Sequence, residues 1–244
     1  MNAWFKEWFS SEEYLEVYKH RDEEDAEKLL TLILKNANLH HSCKVLDAAC
    51  GAGRHSLYLL ENGLNVVGFD LSKTLLKKAK DDAQKKNLNL DLLCADLRYI
   101  CLKKNFDLIL NLFTSFGYFE NDEENFAFPR QSFEILNDGG FYVLDYLNRD
   151  FVINTLVPHS VKHINGKKII ELRKIDRERI VKEIIINNNN NEISFYESVK
   201  LYKKDKIIKE FEKIGFSLFR IFGSYDGSEF NIQNSSRLIL IFKK

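Results

Sequence analysis

The sequence predicts one α/β domain over residues 1–244, a doubly wound, mostly parallel sheet with a C-terminal antiparallel hairpin and an inserted antiparallel strand segment. Three observations predict it. Between residues 44 and 146, short apolar runs alternate with amphipathic helical stretches, the pattern left by crossovers in a parallel sheet. The first run, Lys44-Val-Leu-Asp-Ala48, passes into a Gly-X-Gly turn at Gly51 and Gly53 and then a helix, an order that lets backbone N–H groups approach a ligand. From 160 to 202 the pattern changes to strand-like runs with no helix between them.

Taken in order, residues 3–36 read as helical, because Trp4, Phe5, Trp8 and Phe9 recur at helical spacing, as do Leu29, Leu30, Ile33 and Leu34. Ser10-Ser11 ahead of Glu12 and Glu13 is a helix start. Residues 1–40 form an N-terminal helical lid in this reading, although an apolar stripe of Trp4 and Trp8 docked on the body fits equally. A strand at 44–48, a helix at 54–62 closed near Gly63, a strand at 65–69 and a helix from the N-cap Ser72 to about Lys86 follow. A short strand at 91–94 leads to Asp96, and 106–112 is a buried strand. Residues 122–136 read as a helix stopped by Asn137-Asp138-Gly139-Gly140, ahead of a strand at 141–146. In the insertion, 168–173, 180–186 and 193–199 are antiparallel strands, with Asn165-Gly166 a hairpin turn and the run Asn187 to Asn191 an exposed loop. A helix at 203–214 ends at Gly215, and strands at 216–222 and 237–242 close the chain.

Composition narrows the class. Lys+Arg 36 balances Asp+Glu 36, so the chain lacks the basic footprint of a dedicated nucleic-acid binder, and a small-molecule partner is expected instead. Cys43, Cys50, Cys94 and Cys101 form no C-x-x-C pair and no zinc spacing, so no metal is expected and the thiols read as buried in a reducing cytosol. The N-terminus does not have the organisation of a signal peptide, and no apolar run approaches membrane-spanning length. The expectation is a cytoplasmic protein with no membrane partner, its antiparallel insertion available as a homodimer surface or a substrate lid.

The glycine turn says what kind of ligand to expect. Asp70 ends the next apolar run, about where a ribose-binding acid sits in nucleotide folds. Ser56 stands where a pyrophosphate cradle carries its third glycine, with bulky Arg54 and His55 before it. A nucleoside without phosphates does not need that glycine, so the turn points to S-adenosylmethionine rather than NAD.

Asp47-X-X-Cys-Gly51-X-Gly53, Asp70, Ala95-Asp96, Phe106-Asp107-Leu-Ile-Leu-Asn111 and Gly139-Gly140-Phe, in this order, resemble the Rossmann-like class I S-adenosylmethionine-dependent methyltransferases over residues 44–148. Phe211-Glu-Lys-Ile-Gly215-Phe216 and the terminal strand look like that family's last helix and reversed hairpin. Tyr14-X-X-X-Tyr18-X-His20-Arg21, the run Leu112 to Tyr118 and the insertion look like its small-molecule N-methyltransferases of the amino-sugar and glycine type. The resemblance implies S-adenosyl-L-methionine as cofactor and in-line displacement of its methyl group by a small-molecule acceptor, at nitrogen.

It also implies roles. Gly51 and Gly53 would admit the methionine and ribose parts, Asp47 would hold the methionine amino group or else cap a helix, and Asp70, with Leu71 beside it, would accept both ribose hydroxyls. Asp96 and the Leu97 amide would meet the adenine, with capping of a short helix as the alternative for Asp96. Asn111 would meet the methionine ammonium, and Arg21 and Arg54 either pair with its carboxylate or stand as surface charges. Tyr18 and Tyr118 are the catalytic candidates, and Ser115 and Phe116 the substrate-side ones. The amino-sugar enzymes use a histidine where this chain has Tyr118. His20 and His55 take no catalytic role. Replacing Asp70 by Ala is expected to weaken donor binding severely with the fold intact. Two other functions fit the same motifs: an S-adenosylmethionine-binding protein without turnover, and an RNA methyltransferase.

Overall fold

The computed structural model describes residues 4–18, 23–37, 43–188 and 191–244. Three helices, α1 (Trp4–Trp8), α2 (Glu12–Val17) and α3 (Glu23–Ala37), precede β1 (Lys44–Ala48), α4 (Arg54–Glu61), β2 (Asn65–Asp70), α5 (Lys73–Lys85) and β3 (Asp91–Cys94). The chain continues through β4 (Phe106–Asn111), α6 (Asp122–Asn125), α7 (Ala127–Ile135), β5 (Leu136–Leu147) and α8 (Arg149–Asn154). Four strands follow, β6 (His159–Ile164), β7 (Lys167–Asp176), β8 (Arg179–Asn188) and β9 (Asn191–Lys200), then α9 (Lys204–Ile214), β10 (Ser217–Phe222) and β11 (Arg237–Lys243).

The main sheet has seven strands in the order β3-β2-β1-β4-β5-β11-β10. The first five are parallel and β11 is antiparallel to both its neighbours. Successive residues face opposite sides, so Val45, Val66, Leu108 and Val143 pack under α3 and α4, while Leu46, Ile109, Tyr142 and Leu144 pack under α7 and α9. Strand order reverses between β1 and β4, and a ligand crevice forms at the carboxyl ends of the strands flanking such a switch point.

The insertion is a separate four-stranded antiparallel sheet, β6-β7-β8-β9. Asn165 (φ 49°) and Gly166 (φ 78°) make its first turn as expected, both left-handed as a two-residue hairpin requires. The asparagine run is partly ladder rather than loop, since Asn187 pairs with Glu192 and Asn188 with Asn191; Asn189 and Asn190 lie outside the described residues.

Other boundaries shift. The N-terminal helical span is three helices, and Ser11 caps α2 by accepting from the Tyr14 amide. The helix stops at Ile135 as expected, but residues 137–140 belong to β5 rather than to a loop ahead of it. Gly139 donates to the Lys244 carbonyl and Lys244 to that of Gly140, which draws the segment into β5 with a register shift between Phe106 and Leu108. Cys43 and Cys50 are buried, whereas Cys94 and Cys101 are exposed, because β3 is an edge strand and Cys101 follows it on the surface. Among the described residues no helix is long and apolar enough to cross a membrane.

Candidate active site

A cavity of about 1510 Å³ opens over the carboxyl ends of β1 and β2 and runs to the inner face of the antiparallel sheet. Its floor is the turn after β1. Ala49 (φ 53°), Gly51 (φ 56°) and Gly53 (φ 80°) are left-handed, so the chain doubles back tightly before α4. A Cβ built on Gly51 would meet only Leu75 Cδ1, at 3.9 Å, so a ligand can lie close over this backbone.

Two carboxylates stand at this floor. Asp47 is 1% exposed and accepts a 2.6 Å hydrogen bond from Ser56 Oγ. Burial is the main reason its pKa is pushed up to about 7, helped by the nearby Asp70 charge. Asp70 accepts from the Gly51 amide at 2.9 Å and the Ser72 amide at 2.8 Å, which ties the turn to the start of α5. Burial raises its pKa too, although these amides pull the other way. His55 lies beside Phe113 with ring centroids 5.0 Å apart, and burial lowers its pKa to about 3, so it is neutral.

The roof is aromatic. Tyr118 packs edge-on to Trp4 at 5.0 Å and also meets Phe9 at 5.8 Å. The Phe9 carbonyl accepts from Ser72 Oγ at 2.7 Å, which ties the end of α1 to α5 across the cavity. Trp8 is fully buried against Phe195 of β9.

The far wall is charged. Register aligns Arg173, Lys182 and Glu197 in one row across β7, β8 and β9, with Ser160 and Glu171 in the next row. Glu197 accepts from Tyr18 Oη at 2.6 Å and Trp8 Nε1 at 2.8 Å and pairs with Lys182 at 2.6 Å; Lys182 also donates to Tyr18 Oη. Glu171 is 1% exposed and paired with Arg173 and Lys162, which hold it ionised against the cost of burial.

Residues 45–140 match the family described as a methyltransferase domain. The match covers that stretch of the chain alone. A glycine/sarcosine N-methyltransferase of Aphanothece halophytica is 30% identical over 123 residues, 50% of this chain and 46% of that protein. The chain thus spans about half the length of the curated relatives it matches first. An S-adenosylmethionine-dependent methyltransferase from Clostridium acetobutylicum superposes with a TM-score of 0.82 at 16% identity, covering 94% of each chain. The sugar N-methyltransferase KedS8 from Streptoalloteichus superposes at 0.73 and 17% identity, covering 96% of this chain and 92% of that one. At such identities the likeness shows the fold.

The fold brings Asp47, Gly51, Arg54, Asp70, Leu71, Asp96, Leu97 and Ser115 to one cavity, with Tyr118 at its roof and Tyr18, from outside the matched stretch, at its far wall. Arg54 lies over the Phe113 ring at 4.4 Å. Arg21 and His20 lie outside the described residues.

Three of the candidate residues lie off the cavity, and a fourth, Asp96, is already engaged. Gly53 does not line the cavity; a Cβ there would come 2.8 Å from Ala79 Cβ, so the glycine serves close packing of α4 on α5. Phe116 is 4% exposed and packs on Phe126, Tyr146 and Tyr202, in the core rather than on the substrate side. Asn111 is 1% exposed and off the cavity wall, with its Oδ1 unpartnered among the described residues. Asp96 is engaged by Arg98 through its amide, Nε and Nη2, and these bonds hold its pKa down against burial. An adenine amino group would share Asp96 with that guanidinium.

Sequence reasoning missed the charged wall of the cavity, Lys162, Glu171, Arg173, Lys182 and Glu197. The available signal was charge at alternate positions, as at Glu171 and Arg173, on strands whose other inward residues are Ile169 and Ile184. It also missed the clamp behind Phe113 (φ 52°) and Thr114 (φ 66°). Fully buried Asp145 accepts from the Phe113 amide at 2.9 Å and from Tyr225 Oη at 3.1 Å, and pairs with Arg237 at 2.8 Å. Only the pairing of β5 with β11 brings Asp145 and Arg237 together, 92 residues apart in sequence.

Proposed function

We propose that this chain moves a methyl group from S-adenosylmethionine to a nitrogen of a small-molecule acceptor by in-line displacement. The observation that carries the reading is one continuous cavity whose floor is Asp47, Gly51 and Asp70 and whose far wall and roof are Tyr18, Tyr118, Lys182 and Glu197. The donor fits the floor on two counts: the open space above Gly51, and a buried Asp47 whose charge a cationic amino group would stabilise. The sulfonium of the donor supplies an already activated methyl group, so most of what the protein contributes is alignment and a partly dry chamber.

Asp47 would pair with the donor's ammonium and Asp70, through its remaining lone pairs, with the ribose hydroxyls. Arg54 stands where it can reach the donor's carboxylate, and Leu97 and Asp96 are at hand for the adenine. Trp4, Phe9 and Tyr118 exclude water and offer ring faces to a cationic centre. Tyr18 would orient the acceptor amine and pass its proton toward Glu197.

A binding protein without turnover would need no acceptor chamber, whereas Tyr18 and Tyr118 both border an open one. The name of the glycine/sarcosine relative supports a nitrogen acceptor. Exposed, unpaired Cys94 and Cys101 suit the reducing cytoplasm we assign to it. Calorimetry with S-adenosylmethionine and S-adenosylhomocysteine, followed by a coupled assay for S-adenosylhomocysteine release with glycine, sarcosine and amino sugars, tests the reading. Micromolar binding is expected; the absence of any binding heat for either nucleoside sinks it.

A further inference from the structure

Arg179, the first residue of β8, is half-buried and spends its guanidinium on one short segment. Nη1 donates to the Phe119 carbonyl at 3.0 Å, and Nη2 to those of Tyr118 at 3.0 Å and Gly117 at 3.2 Å. Nε and Nη2 also reach Ser198 Oγ at 2.7 Å and the Ser198 carbonyl at 2.8 Å, on the neighbouring strand. Three successive carbonyls of the segment that carries Tyr118 are thus gathered on one planar fork, which a lysine could not reproduce. Every one of these acceptors is neutral. The Glu120 charge acts on Arg179 from outside hydrogen-bond reach, so the guanidinium's bonds go to backbone and hydroxyl oxygens and fix backbone geometry.

The ends of the segment have further ties: the Phe119 amide donates to Asn125 Oδ1 at 3.0 Å and its carbonyl also accepts from Asn125 Nδ2 at 2.9 Å. The Gly117 carbonyl also accepts from the Lys200 amide at 2.8 Å, and Gly117 (φ 87°) has no room for a Cβ, which would lie 3.0 Å from the Lys200 carbonyl. Beyond it Tyr118 projects onto Trp4 and Phe9 at the cavity roof. Arg179 therefore connects the antiparallel sheet that bears the charged wall to the ring that roofs the chamber.

We propose that Arg179 is a positioning residue for the acceptor chamber, holding Tyr118 in place through the backbone of residues 117–119. The inference rests on the reading of this cavity as a methyl-transfer site. Its test uses the full chain, wild type, Arg179→Lys and Arg179→Ala, with S-adenosylhomocysteine as the donor-site probe. Amide hydrogen exchange reads residues 117–119, near-ultraviolet circular dichroism reads the Trp4–Tyr118 cluster, and calorimetry reads the donor site.

Expected for Arg179→Lys are exchange about tenfold faster at 117–119, unchanged exchange over β1 and α4, a weakened aromatic band, and probe affinity within about twofold of wild type. Arg179→Lys keeps the charge and the folded chain should Arg179→Ala not fold. Wild-type exchange and aromatic signal in Arg179→Lys would overturn the proposal, as would loosening spread evenly over the domain. Wild-type protein that does not bind the probe overturns the methyl-transfer reading instead, while the exchange data still decide what Arg179 holds.

Discussion

Ser56 donates a 2.6 Å hydrogen bond to Asp47, and this pair lies where a dinucleotide fold would carry its third glycine. The hydroxyl, with the Ser56 amide, is a neutral partner of a carboxylate that burial pushes up to about 7. The sign of the consequence follows. A folded pKa above the unfolded 3.8 means that the folded chain binds the proton more tightly, so stability falls as pH rises from about 4 to 7. The full penalty, roughly 4 kcal/mol, is present above pH 7. Asp47→Asn is expected to raise the Tm at pH 8 and leave it unchanged near pH 4, as thermal melts at the two pH values would read.

Donor affinity runs the other way. An ammonium group needs Asp47 ionised, so the affinity for S-adenosylhomocysteine should weaken by up to about tenfold per pH unit below 7. Calorimetry across pH 5–8 reads this, and Asp47→Asn should flatten the profile while binding weakly throughout.

Asp70→Ala is expected to abolish measurable donor binding and also to cost stability, because the Gly51 and Ser72 amides lose their acceptor. Each orphaned amide costs roughly 1–3 kcal/mol, so the fold is expected to stay intact at reduced stability. Denaturant melts beside a binding titration separate the two losses; unchanged stability would show that water replaces the carboxylate.

The two glycines of the turn should part company. Gly53→Ala puts a methyl 2.8 Å from Ala79 in a left-handed backbone and should cost about 1–3 kcal/mol, whereas Gly51→Ala meets only the strain of its backbone, about 1 kcal/mol. Gly51→Ala should lose the larger share of donor affinity. Equal melting temperatures for the two variants would contradict this division of roles.

Asp145→Ala leaves the half-buried Arg237 guanidinium without this carboxylate and frees the Phe113 amide, so a loss of about 2–4 kcal/mol is expected. Urea denaturation of Asp145→Ala, Arg237→Met and the double variant forms the cycle that measures it, with the double variant expected to be more stable than Asp145→Ala alone.

Much of this was legible in the chain. The strand at 44–48, the caps Ser11 and Ser72, the hairpin turn at Asn165-Gly166 and the helix stop at Gly215 are local preferences, and each appears where the residues put it. The helix ends at Ile135, ahead of the stop signal at 137–140, but β5 begins earlier than expected because pairing with Lys244 draws residues 137–140 into it.

Alternation of apolar runs and the glycine turn determined the doubly wound fold and the place of Asp47 and Asp70 at one sheet edge, since hydrophobic period and backbone sterics act within a few residues. Tertiary structure alone decided that Gly53 packs α4 on α5, that Phe116 belongs to the core, and that Lys182 and Glu197 face Tyr18 across the chamber. Those outcomes depend on strand register and on contacts between residues up to 179 positions apart, which no local pattern encodes.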